Sequence, residues 1–586
     1  MIKPELLNDQ VLVILLSTVP GLPLATGLGL LIPALRSGCL KIAPWTAFIG
    51  LAASLLIHSG INLEVPWFFM GGRIGLDVTG RAFLLFSSLI WLLSALFARP
   101  YLAGSDRKEK NHLFYFYFLV SMSGNFGLIL AREVLGFYLF FGLMSFAAYG
   151  LIIHERSPAA MRAGRVYIIL VILGEVLLFS AFLLLAAQTG SLRLGEPGTV
   201  TASNISLLLF FLGFGIKAGA LPLHVWLPLA HPAAPAPASA VLSGAMIKAG
   251  LLGWLRFLPL GQADTIPGWW GQLFLLFGLL AAFYGIFIGL SQSNPKTILA
   301  YSSISQMGLM TTIVGCGLLV NGDRSVIVAV ISFYALHHGL AKATLFLAVG
   351  VVRPPGKHHS PPQWFWFALA LPCLALAGMP GTGGFAAKQG FKELLHLSSP
   401  STAKLLAVAL PLAAGGTAML LTHFFLSIKK LAHTPPDRID SICGWWVISL
   451  IISISLPWLR AVTSPWLDFI PSVDHMGSSM LPIVLGMGFG LFYSLKLHGK
   501  NGYHIPAGDM LELLVLLRMP WPFSYSKSTA KPPNKAWRRV LEYQATVRTN
   551  IFMHLQHYEN LLKRWAVIGS CYVLLCLILL LMLQSH

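Results

Sequence analysis

Runs of apolar residues that are long enough to cross a lipid bilayer recur throughout this sequence and determine its fold class. A helix needs about 20 apolar residues to cross the hydrocarbon core, and such runs can be placed about sixteen times along the 586 residues. Only 10% of the residues are charged, compared with roughly 25% in soluble domains. Because lipid offers the backbone no hydrogen-bond partners, we predict an all-α polytopic membrane protein with about 16 transmembrane helices.

The Lys and Arg residues, which give a net charge of +19, are concentrated in alternate connecting segments. These segments include residues 36–41, 99–110, 156–165, 353–357 and 429–438. The alternation follows the positive-inside rule and predicts that all of them lie on the cytoplasmic, or equivalent energised, side of a membrane. With an even number of spans, both termini then lie on the opposite face. We therefore expect the lipid bilayer, and not nucleic acid, to be the surface that the basic residues meet.

Residues 211–256 contain polar residues that a simple membrane helix would not carry. Lys217 and Lys248 interrupt the apolar run, and between them lie His224 and five prolines. A lysine at bilayer depth costs several kcal/mol, and proline breaks a helix, which the membrane tolerates only where protein or a water-filled cavity covers the break. The pattern predicts a broken helix, a polar loop and a second helix, as in the ion pathways of transporters.

A second interrupted span, with glycines and a proline before Lys388, is predicted over residues 364–393. His338 and Lys342 are four residues apart in another span and therefore share one helix face. Glu175 lies inside the span predicted at 165–187. Buried lysine and histidine side chains can exchange protons near neutral pH, so these residues are candidates for a proton pathway. The candidate set is Lys217, Lys248, His338, Lys342, Lys388, Glu175 and His224.

Each candidate also has a structural alternative. A membrane lysine near a helix end can extend to the interface. Glu175 could act as a structural hydrogen-bonding group, and His224 could tie down the loop. We expect His337 to be a packing or lipid-facing neighbour of His338.

Several motifs in combination resemble the antiporter-like family of ion-translocating membrane subunits. The first is KAGALPLHVWLP with AHPAAPAPASAVLSGAMIKAG, over residues 217–250. The others are KTILAYSSISQMG at 296–308, HGLAKATLFLAVG at 338–350 and GFAAK at 384–388. That family supplies subunits of respiratory complex I, membrane-bound hydrogenases, formate hydrogenlyases and multisubunit sodium/proton antiporters.

The resemblance implies two inverted five-helix repeats, each with a broken helix. On this basis we divide the chain into six parts. They are N-terminal transmembrane helices at 1–111, a first repeat at 112–258, a second repeat at 259–430, additional transmembrane helices at 431–496, a basic loop with an amphipathic helix at 497–565, and a C-terminal anchor at 566–586.

Three acids of the family pattern are replaced in this chain. Relatives have a glutamate at the position of Gly142, where it pairs with the lysine of the first broken helix. Leu229 and Gln389 also stand where relatives have acids. We expect Glu175 to supply the missing carboxylate, facing the interior near Lys217 directly or through one water.

Neither a metal nor a cofactor is expected in this chain. The six cysteines do not have metal-ligand spacing, and no glycine-rich phosphate loop precedes a helix in a strand context. Any redox chemistry would therefore belong to partner subunits.

The function that these features predict is proton translocation by a non-redox subunit of a complex I-related or hydrogenase-type complex in the bacterial inner membrane. The alternatives are the proton-channel partner of a CO2-hydrating uptake complex, a sodium/proton antiporter subunit and a non-conducting scaffold. The expected partners are other subunits, the bilayer and protons, with sodium as the alternative ion.

Overall fold

The computed structural model describes residues 9–65, 72–103, 111–189, 203–352, 361–432, 441–459 and 476–497. The amphipathic helix and the C-terminal anchor that the sequence predicts within 497–565 and 566–586 lie outside these ranges.

Helices make up almost all of the described chain. The helices of the N-terminal part and first predicted repeat are α1 (Asp9–Gly29), α2 (Arg36–Ile42), α3 (Thr46–Leu56), α4 (Val78–Ala103), α5 (Asn111–Leu130), α6 (Val134–Ile152), α7 (Pro158–Thr189), α8 (Asn204–Ala218), α9 (Trp226–Ala233), α10 (Ala236–Val241) and α11 (Lys248–Phe257). Those that follow are α12 (Trp269–Leu290), α13 (Pro295–Leu318), α14 (Arg324–Val352), α15 (Gln363–Ala377), α16 (Gly383–Leu395), α17 (Pro400–Lys429), α18 (Ser441–Ser455) and α19 (Met476–Phe492).

Thirteen helical segments of the described ranges are long and apolar enough to cross a membrane. The chain is therefore an all-α polytopic membrane protein, as the sequence predicts. The number of spanning helices is lower than the predicted sixteen for the following reasons. Helix α13 is long enough to span but carries a polar series that includes Ser302, Ser303 and Gln306, and α15 has only 15 residues. The predicted C-terminal anchor also lies outside the described ranges.

Two broken helices end in the same way. Helices α8 and α15 each have 15 residues and each end in Ala followed by a left-handed glycine, Gly219 with φ +73° and Gly378 with φ +91°. Glycine adopts this conformation without the penalty that a Cβ would bring, so it caps the helix and turns the chain. After Gly219 the chain continues through a 3₁₀ turn, Leu223–Val225, into α9. After Gly378 it enters α16, whose first turn is capped by the Thr382 hydroxyl.

A third irregularity lies between α10 and α11. Residues Leu242–Met246 form a π-helical turn, in which the Ile247 N–H donates to the Leu242 carbonyl. The Ser243 carbonyl, which an α-helix would pair with the Ile247 N–H, therefore loses that regular partner. Such turns occur often at functional sites, and α11 begins with the candidate residue Lys248.

Helices α5 and α6 lie antiparallel, joined by residues 131–133. A methyl group at Gly150 would meet the Tyr117 ring, and one at Gly127 would meet the Phe140 ring, so residue numbers run in opposite directions along the contact. The start of α5 and the end of α6 consequently lie at the same side of the membrane. We call this side the basic side, after Arg156, Arg162 and Arg165, which follow α6 in the sequence.

A two-stranded antiparallel sheet, β1 (Ile61–Val65) and β2 (Gly72–Leu76), precedes α4. A charged cluster ties this hairpin to α5 and α11. Arg132 donates to Asp77 at 2.8 Å, and Arg256 of α11 lies 3.5 Å from the other oxygen of Asp77. The Arg256 guanidinium also donates to the carbonyl oxygens of Leu128, Ile129 and Ala131. Its donors thus satisfy carbonyls at the end of α5 that have no partner within the helix.

Candidate functional site

Lys217 lies in the last turn of α8, beside the break, and is only 3% exposed. Its Nζ atom donates to the Ser145 hydroxyl and to the Tyr167 hydroxyl, each at 3.2 Å. Tyr167 in turn donates to the Ser145 carbonyl at 2.8 Å. The carbonyl end of a helix favours a cation, so both the break in α8 and the two hydroxyl groups stabilise an ammonium group at this depth.

Glu175 of α7 is 6% exposed and is close enough to interact with both Lys217 and Ser145. A Cβ atom built on Gly142 of α6 would lie 3.5 Å from Glu175 Oε2. The carboxylate of Glu175 therefore occupies the volume beside Gly142, where relatives of the predicted family carry a glutamate. Among the residues that the structure describes, Oε2 has no hydrogen-bond partner, and the attraction to Lys217 is its main electrostatic compensation.

Lys248 is fully buried at the start of α11, and its Nζ atom donates to the Ser243 carbonyl at 2.6 Å. This is the carbonyl that the π-helical turn deprives of the Ile247 N–H. The side chain therefore points along its own helix into the protein, whereas the structural alternative would place it at the membrane interface.

Lys342 of α14 is also fully buried and donates to the Leu299 carbonyl of α13 at 2.9 Å. Two serine hydroxyls connect this carbonyl to the surroundings of Lys248. Ser303 donates to the Leu299 carbonyl at 3.0 Å, and its oxygen lies 2.9 Å from the Ser243 hydroxyl. Lys248 and Lys342 interact electrostatically, so their amino groups form a central pair joined by protein hydroxyl and carbonyl groups.

His338 and His337 continue the polar series along α14. Both imidazoles are buried, and within the described ranges neither ring nitrogen of His338 has a hydrogen-bond partner. His338 interacts with Lys248 and Lys342, and also with His337. Buried polar atoms are nearly always satisfied by protein or ordered water, so these nitrogens are suited to a hydrated path.

The expectation that His337 is a packing or lipid-facing neighbour is wrong in its second part. Its ring faces the break between α15 and α16, because Cβ atoms built on Gly383 and Gly384 would lie 3.1 and 2.8 Å from its two nitrogens. It also interacts with Lys388. The sequence pattern favoured His338 alone because only that histidine shares a face with Lys342, while His337 points to a different neighbour.

Lys388 of α16 is half-buried, and its Nζ atom donates to the Ala377 carbonyl at 2.5 Å and to the Leu376 carbonyl at 3.4 Å. These are terminal carbonyls of α15, so the ammonium group sits at the negative end of that helix. A small cavity of about 50 Å³ adjoins Lys388 and Lys392 and is also lined by residues of α17 and α19.

His224 is buried in the 3₁₀ turn between α8 and α9. Its ring packs edge-on against Tyr284 of α12, with the centroids 5.0 Å apart. The structure thus groups Glu175 with Lys217, and Lys248 with Lys342 and His338, followed by His337 and Lys388.

Sequence reasoning did not select Ser145, Tyr167 or His231 as site residues. Ser145 and Tyr167 contact Lys217 from helices 72 and 50 positions away, and no local spacing signals such contacts. His231 lies within the AHPAAP motif and is fully buried. Its position inside an apolar run is the sequence signal that could have identified it. The described ranges contain no group of three or more His, Cys, Asp or Glu residues arranged to hold a metal ion.

Residues 131–412 match the family model described as NADH:quinone oxidoreductase/Mrp antiporter, TM. Almost half of the chain is therefore similar to this antiporter-like family. It is 28% identical over 502 residues to hydrogenase-4 component B of Escherichia coli (strain K12), covering 79% of this chain and 73% of the relative. It is also 26% identical over 501 residues to the putative antiporter subunit mnhA2 of Staphylococcus aureus, covering 78% of this chain and 60% of that relative.

Solved structures have the same fold. The chain superposes on part of the Mrp complex from Dietzia sp. DQ12-45-1b with a TM-score of 0.69 and 19% identity. The match covers 98% of this chain but 63% of that chain, so this protein spans less than two thirds of its structural neighbour. This chain is therefore similar to components and subunits of larger membrane assemblies. The chain is an integral membrane protein.

Proposed function

We propose that this chain carries protons through the membrane as a non-redox subunit of a multisubunit complex. The observation that supports the proposal is the series of buried ionisable side chains that runs from Glu175 and Lys217, through Lys248, Lys342 and His338, to His337 and Lys388. Buried ionisable residues are costly in a membrane and mark ion paths or proton relays. Here they come from separate helices and meet in the protein interior.

The residue types favour protons over sodium. Lysine offers only donors, whereas a hard cation such as sodium needs oxygen ligands. The described series contains one carboxylate, that of Glu175, and six lysine and histidine side chains. In the proposed path each lysine releases a proton as its neighbour accepts one, so that like charges do not accumulate on adjacent sites.

The similarity to hydrogenase-4 component B favours a hydrogenase-type or complex I-related assembly, in which partner subunits would carry the redox chemistry. The antiporter subunit mnhA2 and the Mrp complex favour a second candidate, a subunit of a cation/proton antiporter. The membrane partner of a CO2-hydrating complex and a non-conducting scaffold are further alternatives. Mass spectrometry of co-purifying subunits separates them, because only the first assembly contains flavin or iron–sulfur proteins.

The proposed location is the bacterial plasma membrane, with the basic side facing the cytoplasm. The positive-inside rule supports this orientation.

Proton flux in vesicles tests the proposed function. The full complex is reconstituted with a trapped pH-sensitive dye, and a potassium diffusion potential drives the protons. Lys217→Ala, Lys248→Ala and Lys388→Ala should each lower the flux by about tenfold or more, because each removes a proton-transfer group. Arginine at these positions should not restore it, because guanidinium does not deprotonate in proteins.

Lys404→Ala provides the control, since Lys404 is an exposed lysine of α17. The scaffold alternative is favoured if the three alanine variants, with assembly intact, conduct as fast as the wild type.

A further inference from the structure

A groove of about 240 Å³ lies between α15, α17 and α19 and opens at the surface of the described helices. Its walls are mainly apolar side chains, among them those of Ala370, Leu374, Leu421, Phe425, Met487 and Leu491. The hydroxyl group in the lining, that of Thr422, donates to the Ala418 carbonyl at 2.8 Å. The groove therefore offers water no open hydrogen-bonding group, and because the chain is an integral membrane protein, a lipid acyl chain is the material that suits it.

Helices α17 and α19, which form two walls of the groove, end on the basic side. From the end of α6 on that side, the chain crosses four times, in the spans Pro158–Gln188, Asn204–Ala233, Ala236–Phe257 and Trp269–Leu290. The fourth crossing returns it to the basic side at Leu290. His423, near the end of α17, lies 2.8 Å from the Gln292 carbonyl oxygen, and Tyr493 after α19 donates to the carbonyl that ends the fourth crossing at 3.2 Å. Helix α16, which precedes α17, therefore leads towards the opposite side. The lining residues of α17 lie between 418 and 426, so the groove is in the half of the membrane next to the basic side.

Three exposed lysines lie beyond the basic-side end of the groove. Lys429 and Lys430 come three and four positions after the lining residue Leu426, so they lie one turn further along the same face of α17. Lys496 belongs to the π-helical turn that follows α19. Ser494 of that turn lies 2.9 Å from the same α17 histidine, which holds the turn beside α17. Clustered lysines at this level attract the anionic headgroups of the leaflet on their side.

A tryptophan marks the level of the membrane interface beside these lysines. Trp366, in the first turn of α15, is half-buried and packs edge-on against Phe425 of the groove, with the ring centroids 6.1 Å apart. Tryptophan is enriched where the hydrocarbon meets the headgroups. The groove thus extends from the headgroup level near Trp366 to the break after α15, where Ala377 lines it.

Two lining residues separate the groove from the buried ionisable series. The Ala377 carbonyl accepts a hydrogen bond from Lys388 at 2.5 Å, and Cys373 interacts electrostatically with Lys342. An acyl chain in the groove therefore adds an apolar outer layer to the wall beside these two lysines.

We propose that this groove is the binding site of an anionic phospholipid from the leaflet on the basic side. One acyl chain lies in the groove, and the phosphate group contacts Lys429, Lys430 and Lys496. The lipid closes the wall beside Lys342 and Lys388 and keeps bulk water away from them. A helix of a partner subunit is the competing occupant, but the alignment of an apolar groove with a basic end matches a lipid chain and its headgroup. Lipid binding does not require proton transfer, so the site is tested apart from the proposed function.

The test locates a photoactivatable lipid on the full complex in nanodiscs. The probe is phosphatidylglycerol with a diazirine in its acyl chain, or phosphatidylcholine with the same chain, and mass spectrometry maps the label after illumination. In the wild type, phosphatidylglycerol should label the groove walls about fivefold more than phosphatidylcholine does, because the lysines attract the anionic lipid. The combined changes Lys429→Gln, Lys430→Gln and Lys496→Gln should abolish this preference. Ala370→Trp places a large ring in the groove and should remove most of the label from both lipids.

Lys404→Gln and Val408→Trp are the matched controls, and both should label like the wild type. Lys404 is exposed near the other end of α17, and Val408 is 63% exposed on the same helix. Equal labelling by the two lipids in the wild type, or an unchanged preference in the triple glutamine variant, would overturn the anionic site. The three lysines are exposed, so that variant should fold even if Ala370→Trp does not. Label on the exposed face of α17 at Val408 but none in the groove would show that a partner subunit covers the groove, and would also overturn the proposal.

Discussion

The two broken helices end in the same way but stabilise their lysines differently. Helices α8 and α15 both end after 15 residues at a left-handed glycine. Lys217 precedes its glycine, is almost fully buried, and is accompanied by two hydroxyl groups and Glu175. Lys388 comes from the helix after the break, is half-buried, and donates to two backbone carbonyls.

This difference follows from the depth at which each ammonium group lies. A fully buried cation needs a counter-charge or must lose its proton, because its desolvation is not otherwise compensated. A cation that reaches a cavity can retain part of its hydration, and carbonyl dipoles then suffice. We therefore predict that Lys217 requires Glu175, while Lys388 needs no acid at the position of Gln389.

The largest expected effect is that of Glu175→Gln on proton flux. The change keeps the shape of the side chain but removes the negative charge that accompanies Lys217. Removing one partner of a buried pair costs roughly 3–5 kcal/mol, so the Lys217 ammonium should lose its proton more easily. We expect a fall in flux of about a hundredfold at neutral pH and a shift of the flux–pH profile towards lower pH, measured in dye-loaded vesicles.

Glu155→Gln, at an exposed position after α6, is the control for this change. Comparable flux in Glu175→Gln and the wild type at every pH would show that Lys217 works without a counter-charge, and the contrast between the two lysines would disappear.

A smaller effect is expected from returning the acid to α6. A Cβ atom at Gly142 would lie 3.5 Å from Glu175 Oε2, an ordinary contact distance. In the Glu175→Gln background, Gly142→Glu should therefore place a carboxylate in nearly the same volume and restore part of the flux. Gly142→Gln in the same background adds equal bulk without charge and should restore none. Equal rescue by both variants would point to packing and not to charge.

Much of the fold could be predicted from the sequence because membrane helices depend on local composition. The apolar runs at 112–131 and 134–153 predict two helices, and α5 and α6 agree with these ranges to within one residue at every end. Both breaks were also predictable, since glycine and proline cluster beside Lys217 and Lys388. The resemblance to the antiporter-like family, suggested by motifs at four places, is confirmed by the match over residues 131–412.

The contacts of the site were less predictable because they join distant helices. Nothing near Ser145 in sequence indicates that its hydroxyl receives a hydrogen bond from Lys217. The π-helical turn at Leu242–Met246 likewise depends on one displaced hydrogen bond, which composition does not signal. The pathway roles of the candidate residues and the boundaries of the two repeats remain predictions.

A third, more modest effect concerns access from the side opposite the basic side. In a background without native cysteines, Lys388→Cys should react with a small membrane-impermeant thiol reagent, because the 50 Å³ cavity adjoins this position. Lys217→Cys should react at least about tenfold more slowly, since Lys217 is nearly fully buried. Equal labelling rates would contradict the difference in hydration on which the comparison of the two lysines depends.

The smallest effect on flux is expected from Asp77→Asn, which alters the anchoring of the first half and not its lysine. Burial raises the pKa of the Asp77 carboxyl, but the positive charges of Arg256 and Arg132 lower it more, so the pKa lies below its ordinary value. A lowered carboxyl pKa contributes stability that is present above about pH 4 and is lost as the pH falls through the folded-state value.

Asp77→Asn should therefore destabilise the protein by roughly 3 kcal/mol at neutral pH, because it leaves the buried Arg256 without its carboxylate. Thermal unfolding in detergent measures this loss, which should shrink progressively below about pH 4, as the pH falls towards the lowered folded-state pKa of Asp77. Glu64→Gln is the matched control, since Glu64 pairs with Arg73 on the same hairpin but its side chain is 65% exposed, and exposed pairs contribute less than about 1 kcal/mol. Flux per folded complex should stay near the wild-type value in both variants. A large loss of flux in Asp77→Asn would mean that the position of α11, and with it Lys248, depends on the hairpin, so that the two halves would differ in anchoring as well as in charge.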